Sequence, residues 1–454
     1  MKPNTNNIDN FLQQHLDDYI AELVTLCAQP SVSATGAGIP DCADLVENML
    51  SVRGLQIQRP KTAGNPIIVG RAAGLSERTL LFYNHYDVQP PEPLNLWTSP
   101  PFEPTIRDGA LYARGAEDDK GEFVARLAAF DAVKAANNGQ LPCNVIFVVE
   151  GEEEVGSPYI AEFVRNHSDM LACDGSVWEG GGLNADDRPG LVLGYRGILA
   201  VGLAVQSMNR DGHSGGAHAL PSAAWRLLWA INSLKGPDER LRIRGFYDRA
   251  LKPSALDASL LEKLPDPEAK LRRQLEVDAF AAGRQGKAIN RAVFEPTCNI
   301  QGITTGYQGD GMKTVIPSRA EAKLDFRLVP DQDPDEIFAL LQAHLASEGF
   351  SDVQLSRLGA MWPAKVAPDD PLVLLTAETA EEVYGLPASI DPLVGGSSPV
   401  YAFAKPLGDI PVISAGTGYS DNRIHAPDEH VRLSDFMNGA RHLARILDRF
   451  ASLA

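Results

Sequence analysis

Two short and almost continuously apolar segments, residues 79–83 and 144–149, restrict the possible folds more than any other feature of the chain. A strand that is apolar on both faces must be covered on both sides, and helical patterns such as residues 123–136 lie between such segments. We therefore predict a mostly parallel sheet with helices on both faces. Ligands collect at the carboxyl ends of such strands, and these two segments are followed by His85 and by residues 150–154. Side chains far apart in the sequence are thus expected to converge at one sheet edge.

Length, charge and cysteine content exclude several classes of protein. The chain has 454 residues, which is too long for one ordinary core, so two domains are expected. Its formal net charge of −18 argues against non-specific binding to nucleic acid or to an anionic membrane. No apolar segment approaches the roughly 18–20 residues that span a bilayer, and the N-terminus shows no leader pattern. The five cysteines form no C-x-x-C pair, so neither a disulfide framework nor a thiolate zinc site is indicated, and a cytoplasmic location is expected.

The pattern of strands and helices changes near Gly194 and later returns. Between these points the order is β-α-β-β-α-β, which is typical of a ferredoxin-like unit with four antiparallel strands and two helices. A charged stretch at residues 236–290 would be an insertion in this unit. The predicted fold class is therefore α/β, with a catalytic domain at residues 1–195 and 365–454 that is interrupted by an α+β domain at residues 196–364. The predicted elements of the inserted domain are residues 197–205, 222–234, 292–302, 313–328, 333–347 and 353–358.

Carboxylates follow the predicted strands and form the set of groups that a two-metal hydrolase needs. Two-metal sites use carboxylates to neutralise and bridge the ions, and a further carboxylate handles the proton of the attacking water. Glu153 and Glu154 are adjacent, and adjacent buried carboxylates repel each other unless a cation compensates for their charge. Asp118 and Asp119 precede a helical segment, where Asp119 suits the role of a helix N-cap. The pattern favours a metal site over a solvated acidic loop.

Five short motifs lie at residues 84–90 (NHYDVQP), 114–121 (RGAEDDKG), 150–157 (EGEEEVGS), 178–181 (WEGG) and 425–429 (HAPDE). Together they resemble the M20 family of metallopeptidases, and most closely its dipeptidase and carboxypeptidase branch, which includes the carnosinases. The motifs occur in the family's order and span most of the chain. Asn84 and Ala113 stand where the family usually has Gly, and Glu179 stands where carnosinases have Asp. These departures remove no ligand but leave the branch open.

The resemblance implies two divalent metal ions, with zinc expected and manganese or cobalt as alternatives. It also implies that Glu153 is the general base and that Asp87 orients the second ring nitrogen of His85. The peptide bond between Asp118 and Asp119 is expected to be cis. The implied ligands are His85 and Glu179 for one ion, Glu154 and His425 for the other, and Asp118 as the bridge between them.

Residues of the inserted domain resemble the family's substrate-binding positions. His213 matches a histidine that reaches the partner subunit's active site and helps to polarise the scissile carbonyl. Thr314 and Arg327 match positions that hold the substrate's carboxylate, for which a planar guanidinium is well suited. The loop with Gly396 and Ser397 resembles one whose backbone N–H groups contact the same terminus. The resemblance therefore implies a homodimer that forms through a lid and dimerisation domain.

The expected reaction is metal-assisted hydrolysis of an amide bond next to a free carboxylate, in a dipeptide or at the C-terminus of a short peptide. Deacylation of N-acyl amino acids is an alternative that uses the same water, base and ions. A dinuclear phosphoesterase is more distant, since the chain has no Gly-rich phosphate loop. A non-catalytic metal-binding homologue is disfavoured because the base, Glu153, is present. Small peptides or acyl-amino acids are thus the expected binding partners, and nucleic acid and membranes are not.

Overall fold

The computed structural model describes residues 4–453, and these residues form two compact units. Residues 1–3 and residue 454 lie outside the described residues, so the expectation about the N-terminus falls partly outside them. Unit 1 contains the chain up to Leu193, Val366–Asp391 and the chain from Ala402 onward, and unit 2 contains Gly194–Lys365 and Pro392–Tyr401.

Helices and strands alternate through most of the described chain. None of these helices combines the length and the apolar character that crossing a bilayer requires. The helices are α1 (Thr5–Gln14), α2 (Leu16–Ala28), α3 (Ile39–Ser51), α4 (Lys120–Ala136), α5 (Ile160–Asn166), α6 (Ser168–Leu171), α7 (Ala223–Leu234), α8 (Ala255–Lys263), α9 (Glu268–Leu275), α10 (Ala288–Arg291), α11 (Pro334–Ser347), α12 (Pro371–Tyr384), α13 (Tyr401–Ala404) and α14 (Leu433–Phe450). The strands are β1 (Gln56–Gln58), β2 (Ile68–Ala72), β3 (Thr79–His85), β4 (Thr105–Arg107), β5 (Ala110–Tyr112), β6 (Asn144–Glu150), β7 (Gly175–Trp178), β8 (Gly182–Leu183), β9 (Pro189–Val192), β10 (Gly194–Tyr195), β11 (Gly197–Gln206), β12 (Gly212–His213), β13 (Thr297–Thr305), β14 (Val315–Ile316), β15 (Arg319–Leu328), β16 (Gln354–Met361), β17 (Ala364–Lys365), β18 (Ser389–Asp391), β19 (Val412–Ser414) and β20 (His430–Arg432).

Unit 1 is built around a six-stranded sheet with the order β1-β2-β6-β3-β7-β19. Strands β6, β3, β7 and β19 are parallel, whereas β1 and β2 pair in the antiparallel sense at one edge. Successive residues of a strand face opposite sides of the sheet, and every residue of β3 and β6 after the first is buried. The sheet is therefore covered on both faces. This mixed, mostly parallel sheet confirms the predicted fold class.

Helix α4 follows the turn that contains Asp118 and Asp119, and it packs against β3. Its first residue, Lys120, is buried and donates hydrogen bonds to the carbonyl oxygens of Leu26 at 3.0 Å and Gln29 at 2.7 Å, at the end of α2. A cation at the carboxyl end of a helix stabilises its unpaired carbonyl groups. The turn before α4 is thereby anchored to α2.

Unit 2 contains a four-stranded antiparallel sheet with the order β13-β15-β11-β16. In chain order these are the second, third, first and fourth strands, and α7 and α11 follow the first and third. This is the arrangement of a ferredoxin-like unit, as the sequence predicted. Alternate residues of β11 are buried, so one face of the sheet packs against α7 and α11 and the other is partly exposed.

Several bounds in unit 2 differ from the sequence pattern. The strand predicted at residues 292–302 begins later, as β13, because a short 3-10 helix precedes it. The strand predicted at residues 313–328 is divided into β14 and β15, since Pro317 has no N–H to donate to a neighbouring strand. The segment Pro392–Tyr401, which the sequence pattern placed with the first domain, belongs to unit 2.

Candidate active site

Three neighbouring strands of the unit 1 sheet end at the same edge. β3 ends at His85, β6 at Glu150 and β7 at Trp178, and Glu179 follows β7 directly. His85 and Glu150 are paired in register on adjacent strands. Parallel strands that end together bring their following loops together, which explains how titratable residues far apart in the chain converge here.

One group of possible metal ligands consists of His85, Asp119 and Glu179, whose donor atoms lie within 4.8 Å of one another. His85 Nε2 lies 3.5 Å from Glu179 Oε2. This carboxylate oxygen is buried and accepts no hydrogen bond from the described residues. A buried, unpartnered carboxylate oxygen is unfavourable, and a bound cation would remove that penalty. The group therefore fits a divalent ion.

A second group consists of Asp118, Glu154 and His425, again with donor atoms within 4.8 Å of one another. His425 Nε2 lies 3.0 Å from Asp118 Oδ2 and 3.0 Å from Glu154 Oε2. The other oxygen of Asp118 lies 3.0 Å from His85 Nε2 in the first group. Asp118 thus contacts both groups, which is the geometry that a bridging carboxylate needs.

Asp119 has a different environment from the one that the sequence suggested. It occupies the N-cap position of α4, but its side chain accepts no capping hydrogen bond from that helix. Its Oδ2 instead accepts hydrogen bonds from the side-chain amide of Asn84 at 2.7 Å and from the backbone N–H of His85 at 3.0 Å. The predicted capping role is therefore wrong, because donors on β3 are closer than the first turn of α4. The same contact gives a function to Asn84, which replaces the usual Gly.

Asp87 is fully buried and contacts two parts of the site. Nδ1 of His85 lies 3.0 Å from the backbone oxygen of Asp87 and 3.4 Å from its carboxylate. The same carboxylate accepts the backbone N–H groups of Glu153 at 3.2 Å and Glu154 at 3.1 Å. The sequence suggested the contact with His85 but not the second one, by which Asp87 holds the loop after β6.

Glu153 belongs to neither group of three. Burial, together with the negative charges of Asp118 and Glu154, raises the pKa of Glu153 to about 7, although nearby His85 lowers it. A carboxyl group with a pKa near 7 can both accept and release a proton at neutral pH. Glu153 is therefore chemically suited to proton transfer.

The histidines of the site carry raised pKa values. Hydrogen bonds with Asp118 and Glu154 raise the pKa of His425 to about 10. Burial lowers the pKa of His85, but its hydrogen bonds with Asp118 and Asp87 outweigh that effect and raise the pKa well above its usual value. The carboxylates therefore favour positive charge between them, which protonated His85 and His425 can supply. Divalent ions supply the same positive charge, and their binding releases the protons of the histidines.

Two charged residues on α4 support the site and were not assigned from the sequence. Arg126 donates hydrogen bonds to the carboxylate of Glu122 at 3.2 Å and to the backbone carbonyl of Trp178 at 2.6 Å. Glu122 accepts the backbone N–H of Gly180 at 2.8 Å. The pair therefore holds the chain on both sides of Glu179. The available signal was a Glu and an Arg spaced by four residues among the apolar residues of the first half of α4.

The predicted residues of unit 2 form two local groups. His213 pairs with Val315 across strands β12 and β14, and the N–H of Ser214 donates to the carbonyl of Thr314 at 3.1 Å. The His213 side chain is exposed, and its Nδ1 accepts the N–H of Gly215 at 3.0 Å. His213 and Thr314 are therefore held close together by the short β12–β14 ladder.

In the second group, Arg327 donates to the hydroxyl of Ser397 at 2.9 Å. The backbone N–H of Arg196 donates to the carbonyl of Gly396 at 2.9 Å, and its buried guanidinium donates to the carbonyl of Arg327 at 2.9 Å. The structure thus brings Arg327, Gly396 and Ser397 together. Arg196, which the sequence analysis did not assign, joins them.

Comparison with known proteins agrees with this geometry. The model of peptidase family M20/M25/M40 matches residues 81–449. The Cys-Gly metallodipeptidase dug1 of Schizosaccharomyces pombe is 24% identical over 484 aligned residues, which cover 100% of both chains. The β-Ala-His dipeptidase of Homo sapiens is 26% identical over 391 residues, covering 83% of this chain and 75% of its own. The crystal structure of the M20 family metallo-carboxypeptidase Sso-CP2 from Sulfolobus solfataricus has a TM-score of 0.84 at 34% identity, covering 96% of this chain and 99% of the other.

The fold, the two ligand groups and these similarities define a metallopeptidase, an enzyme that hydrolyses peptides with the help of bound metal ions. The chain belongs to peptidase family M20/M25/M40. This confirms the resemblance that the five motifs indicated.

Proposed function

We propose that this metallopeptidase hydrolyses the amide bond of dipeptides or releases the C-terminal residue of short peptides at a dinuclear site. The observation that carries the proposal is the position of Asp118, whose two oxygens lie 3.0 Å from His85 Nε2 and 3.0 Å from His425 Nε2. One carboxylate between two ligand groups makes them a single site. The relatives are named as dipeptidases for Cys-Gly and β-Ala-His and as a carboxypeptidase, which supports small peptides with a free C-terminus as substrates.

The side chains suit two divalent ions with nitrogen and oxygen ligands. We assign Asp119 to orienting His85 rather than to ligation, because two N–H donors already occupy its Oδ2. When bound, the ions polarise the scissile carbonyl and lower the pKa of a coordinated water. Imidazole and carboxylate ligands accept zinc, manganese or cobalt, and zinc is the proposed ion. The proposed ligands are His85, Asp118 and Glu179 for one ion and Asp118, Glu154 and His425 for the other.

Glu153 is the proposed general base. It accepts a proton from the attacking water and later returns that proton to the leaving amine. Its carboxylate belongs to neither ligand group but adjoins the ligand Glu154, so it is available to exchange a proton beside the ions. Asp87 positions the base by accepting the N–H of Glu153 at 3.2 Å.

The substrate's terminal carboxylate is proposed to bind at Arg327, Gly396 and Ser397, and Thr314, which lies beside His213, is proposed to reach that carboxylate from the partner subunit. The guanidinium of Arg327 is about one third exposed, and among the residues that the structure describes its ion-pair neighbour is Asp325 at 3.8 Å. It therefore retains donors for a carboxylate, which a planar guanidinium can bind through two hydrogen bonds. This supports substrates with a free C-terminus over amidated ones.

His213 is proposed to stabilise the developing charge on the scissile carbonyl in the partner subunit of a homodimer. Unit 2 carries an apolar surface that supports such a dimer. On α7, Trp225, Leu228 and Trp229 lie on one face and are 59%, 41% and 55% exposed. A cluster of exposed large apolar side chains is typical of a surface that another molecule covers. We propose that this surface, the α7 face, contacts a second copy of the chain.

A substrate panel tests the proposed reaction. The zinc-loaded protein is assayed with Cys-Gly and β-Ala-His, with the C-terminal amides of both, and with N-acetyl amino acids. We expect hydrolysis of the free dipeptides, at least about tenfold slower hydrolysis of the amides, and no activity after chelation. Faster hydrolysis of the N-acetyl amino acids would instead assign the site to a deacylase.

Light scattering tests the proposed dimer. The expected mass is that of two chains, and Trp229→Glu should shift it towards one chain because a buried, unpaired carboxylate at an apolar interface is unfavourable. Glu336→Gln, at an exposed position of α11, is the control and should leave the mass unchanged. A wild-type mass equal to one chain would contradict both the dimer and the role of His213 in trans.

A further inference from the structure

Glu429 ends the HAPDE motif and belongs to neither group of metal ligands. The residue is fully buried, with 0% of its surface exposed, and it stands between the loop of His425 and strand β20. Burial of a carboxylate is strongly unfavourable unless other groups donate to it. The partners of Glu429 therefore indicate what it does.

Both oxygens of the Glu429 carboxylate contact the turn that leads to Asp118. Oε1 accepts the backbone N–H groups of Glu117 and Asp118, each at 3.1 Å. Oε2 accepts the backbone N–H of Gly115 at 3.0 Å and the guanidinium of Arg114 at 2.6 Å. With two donors on each oxygen, the carboxylate is not available to a metal ion, so any effect on the site acts through the turn.

These contacts provide acceptors that the turn itself lacks. The N–H groups of Gly115, Glu117 and Asp118 lie outside the helices and strands, and a buried N–H without an acceptor costs roughly 1–3 kcal/mol. One side chain satisfies all three. Its backbone carbonyl also accepts the N–H of Ala113 at 3.1 Å. Glu429 therefore holds the chain before Asp118 at several points.

Arg114 extends the same connection to the first ligand group. It is buried, and besides its ion pair with Glu429 it donates to the carbonyl of Pro90 at 3.3 Å. Pro90 lies in the loop that follows His85 and Asp87. One buried ion pair thus connects the three chain segments that carry His85, Asp118 and His425.

We propose that Glu429 is a positioning residue that sets the separation of Asp118 and His425, and with it the affinity of the ion that these two side chains share. The inference rests on the proposed dinuclear site. His425 and Glu429 lie on one short segment and Asp118 on another, and the Glu429 carboxylate joins them by hydrogen bonds to the backbone N–H groups of Glu117 and Asp118. Without these hydrogen bonds, Asp118 Oδ2 and His425 Nε2 are no longer held 3.0 Å apart by the backbone beneath them.

The test is Glu429→Gln in the full-length protein. Gln keeps the size of Glu and one acceptor oxygen. Its NH2 group replaces the other oxygen and cannot accept the two hydrogen bonds that this oxygen accepts in the wild type. Zinc binding to metal-free protein is measured by competition with a chromophoric chelator. We expect the wild type to bind two zinc ions. The variant should bind the ion at His425 about 10- to 100-fold more weakly, with a smaller loss at the other ion, which keeps His85 and Glu179 as ligands.

A double-mutant cycle identifies which ion is affected. In a His425→Ala background, Glu429→Gln should weaken zinc binding little further, because the shared ion has already lost its histidine. In a Glu179→Gln background, the effect on the ion held by His425 should remain, because Glu179 is a proposed ligand of the other ion. Equal effects in both backgrounds would contradict a specific link to the ion held by Asp118 and His425.

Glu22→Gln is the matched control. The Glu22 carboxylate also forms an ion pair with an arginine of unit 1, Arg53, at 2.8 Å, but Glu22 lies outside the ligand groups. It should bind both ions as the wild type does. Glu429→Asp keeps the charge and withdraws the carboxylate by one methylene group; it provides the same measurement if the Gln variant does not fold. Wild-type affinity for both ions in a folded Glu429 variant would overturn the inference. A wild type that binds fewer than two ions would contradict the dinuclear site itself.

Discussion

The largest sheets of the two units bury different kinds of side chain. In unit 1, β3 and β6 are buried on both faces, and the edge where they end carries fully buried titratable residues such as His85, Asp87 and Glu150. In unit 2, β11 buries alternate residues, and the core beneath the sheet consists of apolar side chains. The first sheet therefore combines packing with chemistry, whereas the second sheet is stabilised mainly by packing on one face.

One ion pair from each unit allows a second comparison, between a buried pair and an exposed one. Arg114 and Glu429 in unit 1 have side chains that are 1% and 0% exposed, whereas Arg226 and Asp352 in unit 2 are 30% and 55% exposed. Water compensates for a lost partner at an exposed position but not at a buried one. The comparison teaches that replacing one charge should have a large effect at the edge of the unit 1 sheet and a small one on the surface of unit 2.

Glu153→Gln should have the largest effect. Because it removes the proposed proton acceptor and no metal ligand, kcat should fall by roughly 10²- to 10⁴-fold while the zinc content stays the same. Steady-state kinetics and metal analysis of the purified variant check both parts. Glu152→Gln, in the same loop, is the control and should retain activity. Near-normal turnover of the Glu153 variant would remove this residue from the mechanism.

Arg327→Met tests whether unit 2 contributes to substrate binding. Loss of a charged hydrogen bond to the substrate's carboxylate should raise KM for a dipeptide by roughly 10- to 100-fold, with a smaller change in kcat. For the C-terminal amide of the same dipeptide, the substitution should raise KM much less. Arg319→Met, at an exposed position of β15, is the matched control. An equal loss with both substrates would argue against contact between Arg327 and the carboxylate.

His442 tests how a buried titratable side chain of unit 1 affects the free energy of unfolding. Burial lowers the pKa of this α14 histidine to about 4, and its Nε2 donates to the carbonyl of Thr376 at 3.0 Å. Between about pH 6.5 and pH 4 the unfolded chain binds a proton that the folded chain does not, so the free energy of unfolding decreases as the pH falls through this range. The contribution of His442 should decrease by about 2 kcal/mol from pH 7 to pH 5.

Urea unfolding of the wild type and of His442→Gln at pH 7 and pH 5 measures this contribution. The variant should show the smaller decrease in the free energy of unfolding on acidification. His344 of unit 2, whose pKa burial also lowers and whose Nε2 contacts the hydroxyl of Ser233, is the comparison, and His344→Gln should change the pH dependence less. The same pH dependence in the wild type and the His442 variant would contradict a neutral, buried His442.

Asp352→Asn should have the smallest effect. The exposed pair that Asp352 forms with Arg226 should contribute less than about 1 kcal/mol to the free energy of unfolding. Thermal unfolding of Asp352→Asn and of Glu429→Gln compares the losses in stability at the exposed pair and at the buried pair. A loss as large as that of the buried pair would mean that exposure does not explain the difference between the two units.

The ligand groups could be predicted from the sequence because their members follow recognisable strands. His85 and Glu154 come after apolar segments, and Glu179 and His425 stand in motifs of the family, so the resemblance names them. The structure brings these residues together at one edge, with Asp118 between the two histidines. Their roles as ligands stay predictions that the zinc measurements address.

The supporting residues could not be predicted in the same way. Glu429 and Arg126 act through backbone groups of distant segments, and a backbone N–H or carbonyl has no signature in the sequence. Asp119 illustrates the converse error. Its local context is that of a helix cap, but Asn84 and the N–H of His85 are the donors that reach it. Local patterns predict local partners, and these partners are not local.

The sequence by itself determined the two kinds of sheet and the residue types at the strand ends, because burial on one or both faces appears directly in the spacing of apolar residues. The tertiary structure decided which carboxylate contacts which imidazole and which one remains free for proton transfer. Those choices depend on distances of a few ångströms between segments more than 300 residues apart, such as Asp118 and His425. Such distances are set by packing and by buried groups such as Glu429, since only the folded chain brings donors and acceptors to the same place.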